Sequence, residues 1–109
     1  MDSPSGTAIM LAEAANRASG DKYNIVCGRT NDDYKKRPKN ELGIHAVRGG
    51  TIVGDHTVIF AGCDEVIEIS HSAHSKNVFA QGAISAAKFL AGKPPGFYTM
   101  EDIMKKGEV

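Results

Sequence analysis

The sequence predicts an α+β domain: a mixed, largely antiparallel sheet of about four strands with helices on one face. Three observations carry this. Apolar residues recur at helical spacing from Ile9 to Ala18. They do so again from Val78 to Leu90. Between these stretches lie four short runs rich in apolar and β-forming residues, Tyr23–Gly28, Leu42–Val47, His56–Ala61 and Val66–His71.

The first element starts from Asp2-Ser3-Pro4-Ser5-Gly6-Thr7, all cap or turn formers. Behind them Ile9, Leu11, Ala12, Ala14, Ala15 and Ala18 form a helical stripe that Gly20 closes. A cap loop needs packing on its upstream side, so the expectation is that a further segment precedes Met1. Tyr23–Gly28 reads as a strand, and the polar stretch Thr30–Asn40 as an exposed loop. Leu42–Val47 and His56–Ala61 read as strands, separated by a segment whose Gly49, Gly50 and Gly54 allow a bulge or a close backbone approach. Gly62-Cys63-Asp64 makes a tight turn into a strand from Val66 to His71. Ser75 is positioned to cap a second helix, with Val78, Phe79, Ala83, Ala86, Ala87 and Leu90 facing inward. Gly92 and Pro94-Pro95 end it. A Thr-x-x-Asp cap at Thr99–Asp102 opens a short last helix, whose apolar residues lie beyond the Pro-Pro break and are expected to dock outside the main core. There is no internal repeat and no low-complexity tract.

Composition narrows the function. The 109 residues carry 13 Lys+Arg against 13 Asp+Glu, with 41% hydrophobic residues and no Trp. A net charge of zero offers no overall electrostatic footprint for nucleic acid. No apolar stretch approaches the roughly 18 residues that span a bilayer. Cys27 and Cys63 stand far apart without a C-x-x-C partner, and no charged-then-apolar leader opens the chain, which together predict a reduced, cytoplasmic setting. A domain of this length can hold a core, but it is short for a complete enzyme with its own cofactor domain.

The strongest local chemistry is Pro4-Ser5-Gly6-Thr7 at a helix start. Free backbone N–H groups, two hydroxyls and the positive end of the helix dipole converge there, which suits a carboxylate or a phosphate. An ordinary N-cap uses the same residues. Gly49 and Gly54 have the spacing of a phosphate loop, but Asp55-His56 follow in place of Lys-Ser/Thr. No G-x-G-x-x-G occurs. His71 and His74 flank a strand end and read as part of a capped turn; His45 and His56 read as structural strand histidines. No H-x-H, H-E-x-x-H or Cys/His cluster supplies a metal site. Ser5 lacks the context of a nucleophile. Arg29, Arg37 and Arg48 can pair with Glu41, Asp55 or Glu68 in a subunit contact, or simply scatter on the surface.

The sequence also resembles a known family. Asp2-Ser3-Pro4-Ser5-Gly6-Thr7-Ala8 carries the likeness first, then Glu41 to Gly50 running into Val53-Gly54-Asp55-His56-Thr57. Glu68-Ile69-Ser70-His71, Phe79-Ala80-Gln81-Gly82-Ala83 and Gly96 to Asp102 follow in the same order. Together these look like the 4-hydroxy-tetrahydrodipicolinate (dihydrodipicolinate) reductases of bacterial lysine (diaminopimelate) biosynthesis, over essentially the whole chain. The resemblance implies a two-domain oxidoreductase using NADPH or NADH. A Rossmann domain would hold the cofactor, and an α+β domain would bind a cyclic dicarboxylate and build a homotetramer through its sheet. This chain corresponds to the second domain, with residues 1–93 as its substrate-binding and oligomerisation part. Residues 94–109 correspond to the segment that in full-length members packs on the cofactor domain.

Family roles then fall on Ser5, Gly6 and Thr7, which would hold a substrate carboxylate, the group the helix start also suits on physical grounds. Lys76 stands where many members have Arg, a position expected to face the cofactor and the active-site cleft; a bidentate contact is lost there while the charge is kept. After Arg29, Thr30-Asn31 replaces the more usual residue-glycine pair. The family's catalytic His-His-x-x-Lys segment is expected upstream of Met1, so no catalytic residue is assigned in this chain. No bound cofactor, no metal, no nucleic acid and no membrane is expected for it, and the 109 residues alone are expected to be inactive. The alternative is a stand-alone, non-enzymatic dicarboxylate-binding or assembly module.

Overall fold

A computed structural model describes residues 3–28 and 38–105. The chain divides into two compact units, Met1–Ile52 and Val53–Val109. Among the described residues the architecture is α+β with four strands, arranged as two two-stranded sheets.

The first unit contains α1 (Gly6–Ala18), β1 (Asn24–Cys27) and β2 (Glu41–Ile44). Ser5 caps α1, its Oγ accepting from the Ala8 N–H at 3.2 Å. Ala12 is buried and Ala8, Ala15 and Asn16 are half-buried, so the inward stripe runs at four- and three-residue steps along small side chains. Ile9 and Leu11, expected on that stripe, are exposed. The helix packs on β2, whose Ile44 is buried.

Strands β1 and β2 are parallel, with Asn24 opposite Glu41 and Cys27 opposite Ile44. This is the parallel part of the mixed strand pairing expected from the sequence. A parallel return needs a crossover of about a dozen residues or more, which the stretch 28–40 supplies. The loop expected over Thr30–Asn40 lies largely outside the described residues, as do Arg29, Thr30, Asn31 and Arg37. The strand expected through Val47 ends at Ile44. Its partner β1 ends at Cys27, with one further bond from the Gly28 N–H to the Ile44 carbonyl at 2.8 Å, and no backbone of β1 lies opposite residues 45–47.

The second unit contains β3 (Asp55–Ala61), β4 (Val66–Ser72), α2 (Asn77–Leu90) and α3 (Met100–Lys105). Strands β3 and β4 form the expected antiparallel hairpin, registered from Asp55 opposite Ser72 to Ala61 opposite Val66. Its turn is closed by the Gly62 N–H on the Glu65 carbonyl at 2.8 Å. At the open end the Ala73 N–H reaches the Gly54 carbonyl at 2.9 Å. A Cβ on Gly54 would lie 3.2 Å from the Ala73 Cβ, so the two backbones meet this closely because residue 54 has no side chain.

Helix α2 differs from expectation at its start and in its facing. It begins at Asn77, with Lys76 in the cap position and no side-chain cap bond there; the Ser75 hydroxyl accepts from the Asn77 N–H at 3.3 Å. Its covered residues are Gly82, Ser85, Ala86 and Phe89, whereas Val78, Phe79, Ala83, Ala87 and Leu90 are exposed. Phe89 sets this rotation. Its ring meets that of Tyr98 edge-on with centroids 6.0 Å apart, the Lys93 ammonium sits 4.6 Å from its centroid, and it is 4% exposed.

Gly92, at φ +78°, turns the chain out of α2 in the left-handed conformation that a glycine adopts without strain. The Tyr98 hydroxyl then fastens the Pro94 carbonyl at 2.6 Å. Thr99 and Asp102 cap α3 as their spacing predicts. Asp102 Oδ2 accepts from the Thr99 N–H at 2.7 Å and from its hydroxyl at 3.2 Å, which holds the carboxyl below the ordinary aspartate range. Ile103 is 3% exposed, covered within the unit, while Phe97 is 92% exposed and Met100 and Met104 are also exposed. Of the apolar residues expected to dock outside the main core, Ile103 is thus covered within its own unit, and Phe97, Met100 and Met104 remain exposed. No helix among the described residues is long and apolar enough to cross a membrane.

Candidate functional site

Helix geometry leaves the first N–H groups of α1 without a carbonyl four residues back. Ser5 satisfies that of Ala8. Gly6 and Thr7 occupy the first two helical positions, both exposed, at the positive end of a 13-residue helix dipole. No acidic residue stands in the first turn to occupy that field. A Cβ on Gly6 would meet nothing within 4 Å, so the backbone there is open to a ligand oxygen. Ser5, Gly6 and Thr7 therefore form one small, electropositive, donor-rich surface, able to take a carboxylate by charge-assisted hydrogen bonds.

Lys76 lies in the second unit, exposed at the start of α2. His45 is exposed past the end of β2, and His74 is exposed between β4 and α2. His56 and His71 stand directly opposite one another on the hairpin, where His56 is half-buried. Among the described residues no group of three or more His, Cys, Asp or Glu could hold a metal ion, and Cys27 and Cys63 are free and exposed. The Asp55 carboxylate accepts from the Ser72 hydroxyl, and the Thr57 and Ser70 hydroxyls pair at 2.9 Å across the strands. Arg48 Nη1 donates to the Val47 carbonyl at 3.3 Å.

Two features escaped the sequence reading. One is the hairpin surface. Phe60, Ile67 and Ile69 lie on the same face as His56, Val58 and His71, and all three are exposed. Apolar residues on both faces of a strand pair were its signal, since a hairpin with one solvated face alternates. The other is Asn16, whose side-chain amide pairs with the backbone of Tyr23 in both directions. Its signal was a polar residue on the stripe of Ala8, Ala12 and Ala15.

The chain matches, over residues 1–104, the family described as dihydrodipicolinate reductase, C-terminus. It is 60% identical over 106 residues to the 4-hydroxy-tetrahydrodipicolinate reductase of Caldanaerobacter subterraneus subsp. tengcongensis, covering 97% of this chain and 42% of that protein. The reductase of the same name from Clostridium novyi is 50% identical over 96% of this chain and 41% of its own length. That from Clostridium tetani is 54% identical over 93% of this chain and 39% of its own. The chain thus spans about two fifths of the length of these curated relatives.

Proposed function

This chain belongs to the dihydrodipicolinate reductase C-terminal family, and we propose from that premise that it is the substrate-binding and tetramer-forming domain of a 4-hydroxy-tetrahydrodipicolinate reductase. The observation that carries the binding half is the start of α1. There Gly6 and Thr7, whose N–H groups have no carbonyl four residues back, are exposed beside the Ser5 cap, with no acidic residue in the first turn. These groups hold one carboxylate of a cyclic dicarboxylate, fixing the ring while leaving its reacting face to other groups. In this reading Lys76 is a cofactor-facing residue.

NADPH or NADH supplies the reducing hydride and sits on a separate dinucleotide-binding domain. The residues present here do not fit that cofactor, since the sequence contains no G-x-G-x-x-G turn to receive a pyrophosphate. Residues 1–93 bind substrate and assemble subunits, and residues 94–109 pack on the cofactor domain, led by exposed Phe97. The exposed apolar side chains of the β3–β4 hairpin support assembly, because an unpaired two-stranded sheet is marginal in water and such surfaces are usually covered. The setting is the cytoplasm.

The test uses the 109-residue chain itself. Calorimetric titration with pyridine-2,6-dicarboxylate is expected to show weak saturable binding. Sedimentation is expected to give a tetramer mass, and NADH or NADPH is not expected to be consumed in the presence of substrate. Turnover by this chain would refute the assignment of chemistry to another domain. A strict monomer would refute the assembly role, and absence of binding at millimolar ligand would refute the carboxylate cradle. Binding by a chain whose gene encodes no dinucleotide-binding domain would favour a stand-alone dicarboxylate module instead.

A further inference from the structure

We propose that Asn16 is a positioning residue for the carboxylate cradle, acting from the far end of α1; the proposal rests on the reading of Ser5, Gly6 and Thr7 given above. The stripe by which α1 lies inward is made of Ala8, Ala12 and Ala15. Methyl groups pack well but are nearly featureless along the helix axis, so such a contact resists sliding or rotation of the helix only weakly. Register along that axis requires directional bonds, and Asn16 provides them.

Its Nδ2 donates to the Tyr23 carbonyl at 3.0 Å, and its Oδ1 accepts from the Tyr23 N–H at 3.0 Å. The amide thus mimics one rung of a sheet with the residue that leads into β1. The Asn16 carbonyl also accepts from the Asp21 N–H at 2.8 Å and the Ser19 N–H at 3.1 Å. One residue therefore gathers the whole turn from α1 to β1, including Asp21 in the left-handed region at φ 55°. Gly6 lies ten residues earlier, about 15 Å along the axis at 1.5 Å per residue. A rigid helix transmits any axial shift or roll at Asn16 to the N–H groups that meet the ligand. The amide thereby determines where those groups point with respect to β1 and β2.

The experiment compares the 109-residue chain with Asn16→Ala, which loses both bonds, and Asn16→Asp, which keeps the acceptor for the Tyr23 N–H and loses the donor. Residual dipolar couplings report the orientation of α1 against β1 and β2, far-UV circular dichroism reports helix content, and calorimetry reports the dissociation constant for pyridine-2,6-dicarboxylate. Asn16→Ala is expected to reorient α1 at unchanged helix content and to weaken binding about tenfold through lost preorganisation, with Asn16→Asp between the two. A general loss of structure cannot mimic this, because helix content and Asn16→Asp hold the fold in view. If α1 keeps its orientation in Asn16→Ala, or binding is unchanged while α1 moves, the positioning role is overturned. If the wild-type chain itself does not bind, the carboxylate reading fails first, and the couplings still decide separately whether Asn16 orients the helix.

Discussion

Gly6→Ala separates the site from the fold, because the two respond with opposite sign. Gly6 is the first residue of α1, and a methyl group built on it meets nothing within 4 Å. The added side chain therefore strains nothing in the free protein and removes conformational freedom from the unfolded chain. A Gly-to-Ala change at a compatible position stabilises by about 0.4–1 kcal/mol. For a domain of this size that raises the midpoint of thermal unfolding by roughly 2–8 °C, at about 4–8 °C per kcal/mol. The ligand meets the opposite situation. In the proposed binding mode, a carboxylate oxygen seated against the Gly6 and Thr7 N–H groups would compete with the methyl for the open space beside residue 6. Losing one hydrogen bond to a charged group costs about 1.5–3 kcal/mol, or roughly 10- to 150-fold in dissociation constant. The exposure of the site argues for the lower end. Calorimetry with pyridine-2,6-dicarboxylate and thermal unfolding followed by circular dichroism measure both quantities on one preparation. A variant that is more stable and binds at least tenfold more weakly is expected. Binding within twofold of wild type would show that no ligand oxygen approaches this backbone, and the reasoning from the helix terminus would fall.

Three further outcomes follow from the geometry. Phe89→Ala empties the contact among α2, Tyr98 and Lys93 and is expected to cost about 3–5 kcal/mol in urea unfolding, while Phe89→Leu costs under about 2; equal losses would mean that the ring contacts contribute nothing. The pair Ile67→Lys and Ile69→Lys, at exposed positions, is expected to shift sedimentation to a smaller species at unchanged circular dichroism; an unchanged mass would remove the hairpin from the assembly surface. Asp102 has a lowered pKa in the folded chain, chiefly from the Thr99 N–H. Its contribution is therefore complete above the ordinary aspartate pKa and is lost as pH falls below it through the depressed folded value. Amide exchange in α3 should accelerate over that acid range, and Asp102→Asn should remove the acid dependence; an unaltered profile would exclude this carboxyl as the titrating group.

Where the sequence was legible, the bonds involved are short in sequence. Ser5 with Ala8, Thr99 with Asp102 and the turn at Gly62–Glu65 each join residues three apart, so the pattern of residue types contains both partners. The second helix shows the limit. Ser75 is a good cap residue, yet its hydroxyl meets Asn77 and the helix starts one residue later than the cap rule places it. The proposed site divides in the same way: Ser5, Gly6 and Thr7 are consecutive, so their pattern is visible in the sequence, whereas the Asn16 pairing with Tyr23 joins a helix to the entry of a strand across seven positions and a left-handed turn.

The sequence by itself determined the α+β class, the approximate positions of the four strands and three helices among the described residues, the family, and the cap residues at the start of α1. Each follows from local patterning, because caps, turns and hydrophobic periodicity act within a few residues. The tertiary structure alone decided that β1 and β2 run parallel, and that α2 turns Gly82, Ser85, Ala86 and Phe89 inward in place of its other apolar flank. It alone decided, too, that an asparagine amide ties α1 to the strand beside it. Strand direction and helix facing depend on which distant segments meet. On a helix apolar on two flanks, the inward face is chosen by the ring that finds a partner, here Phe89 against Tyr98.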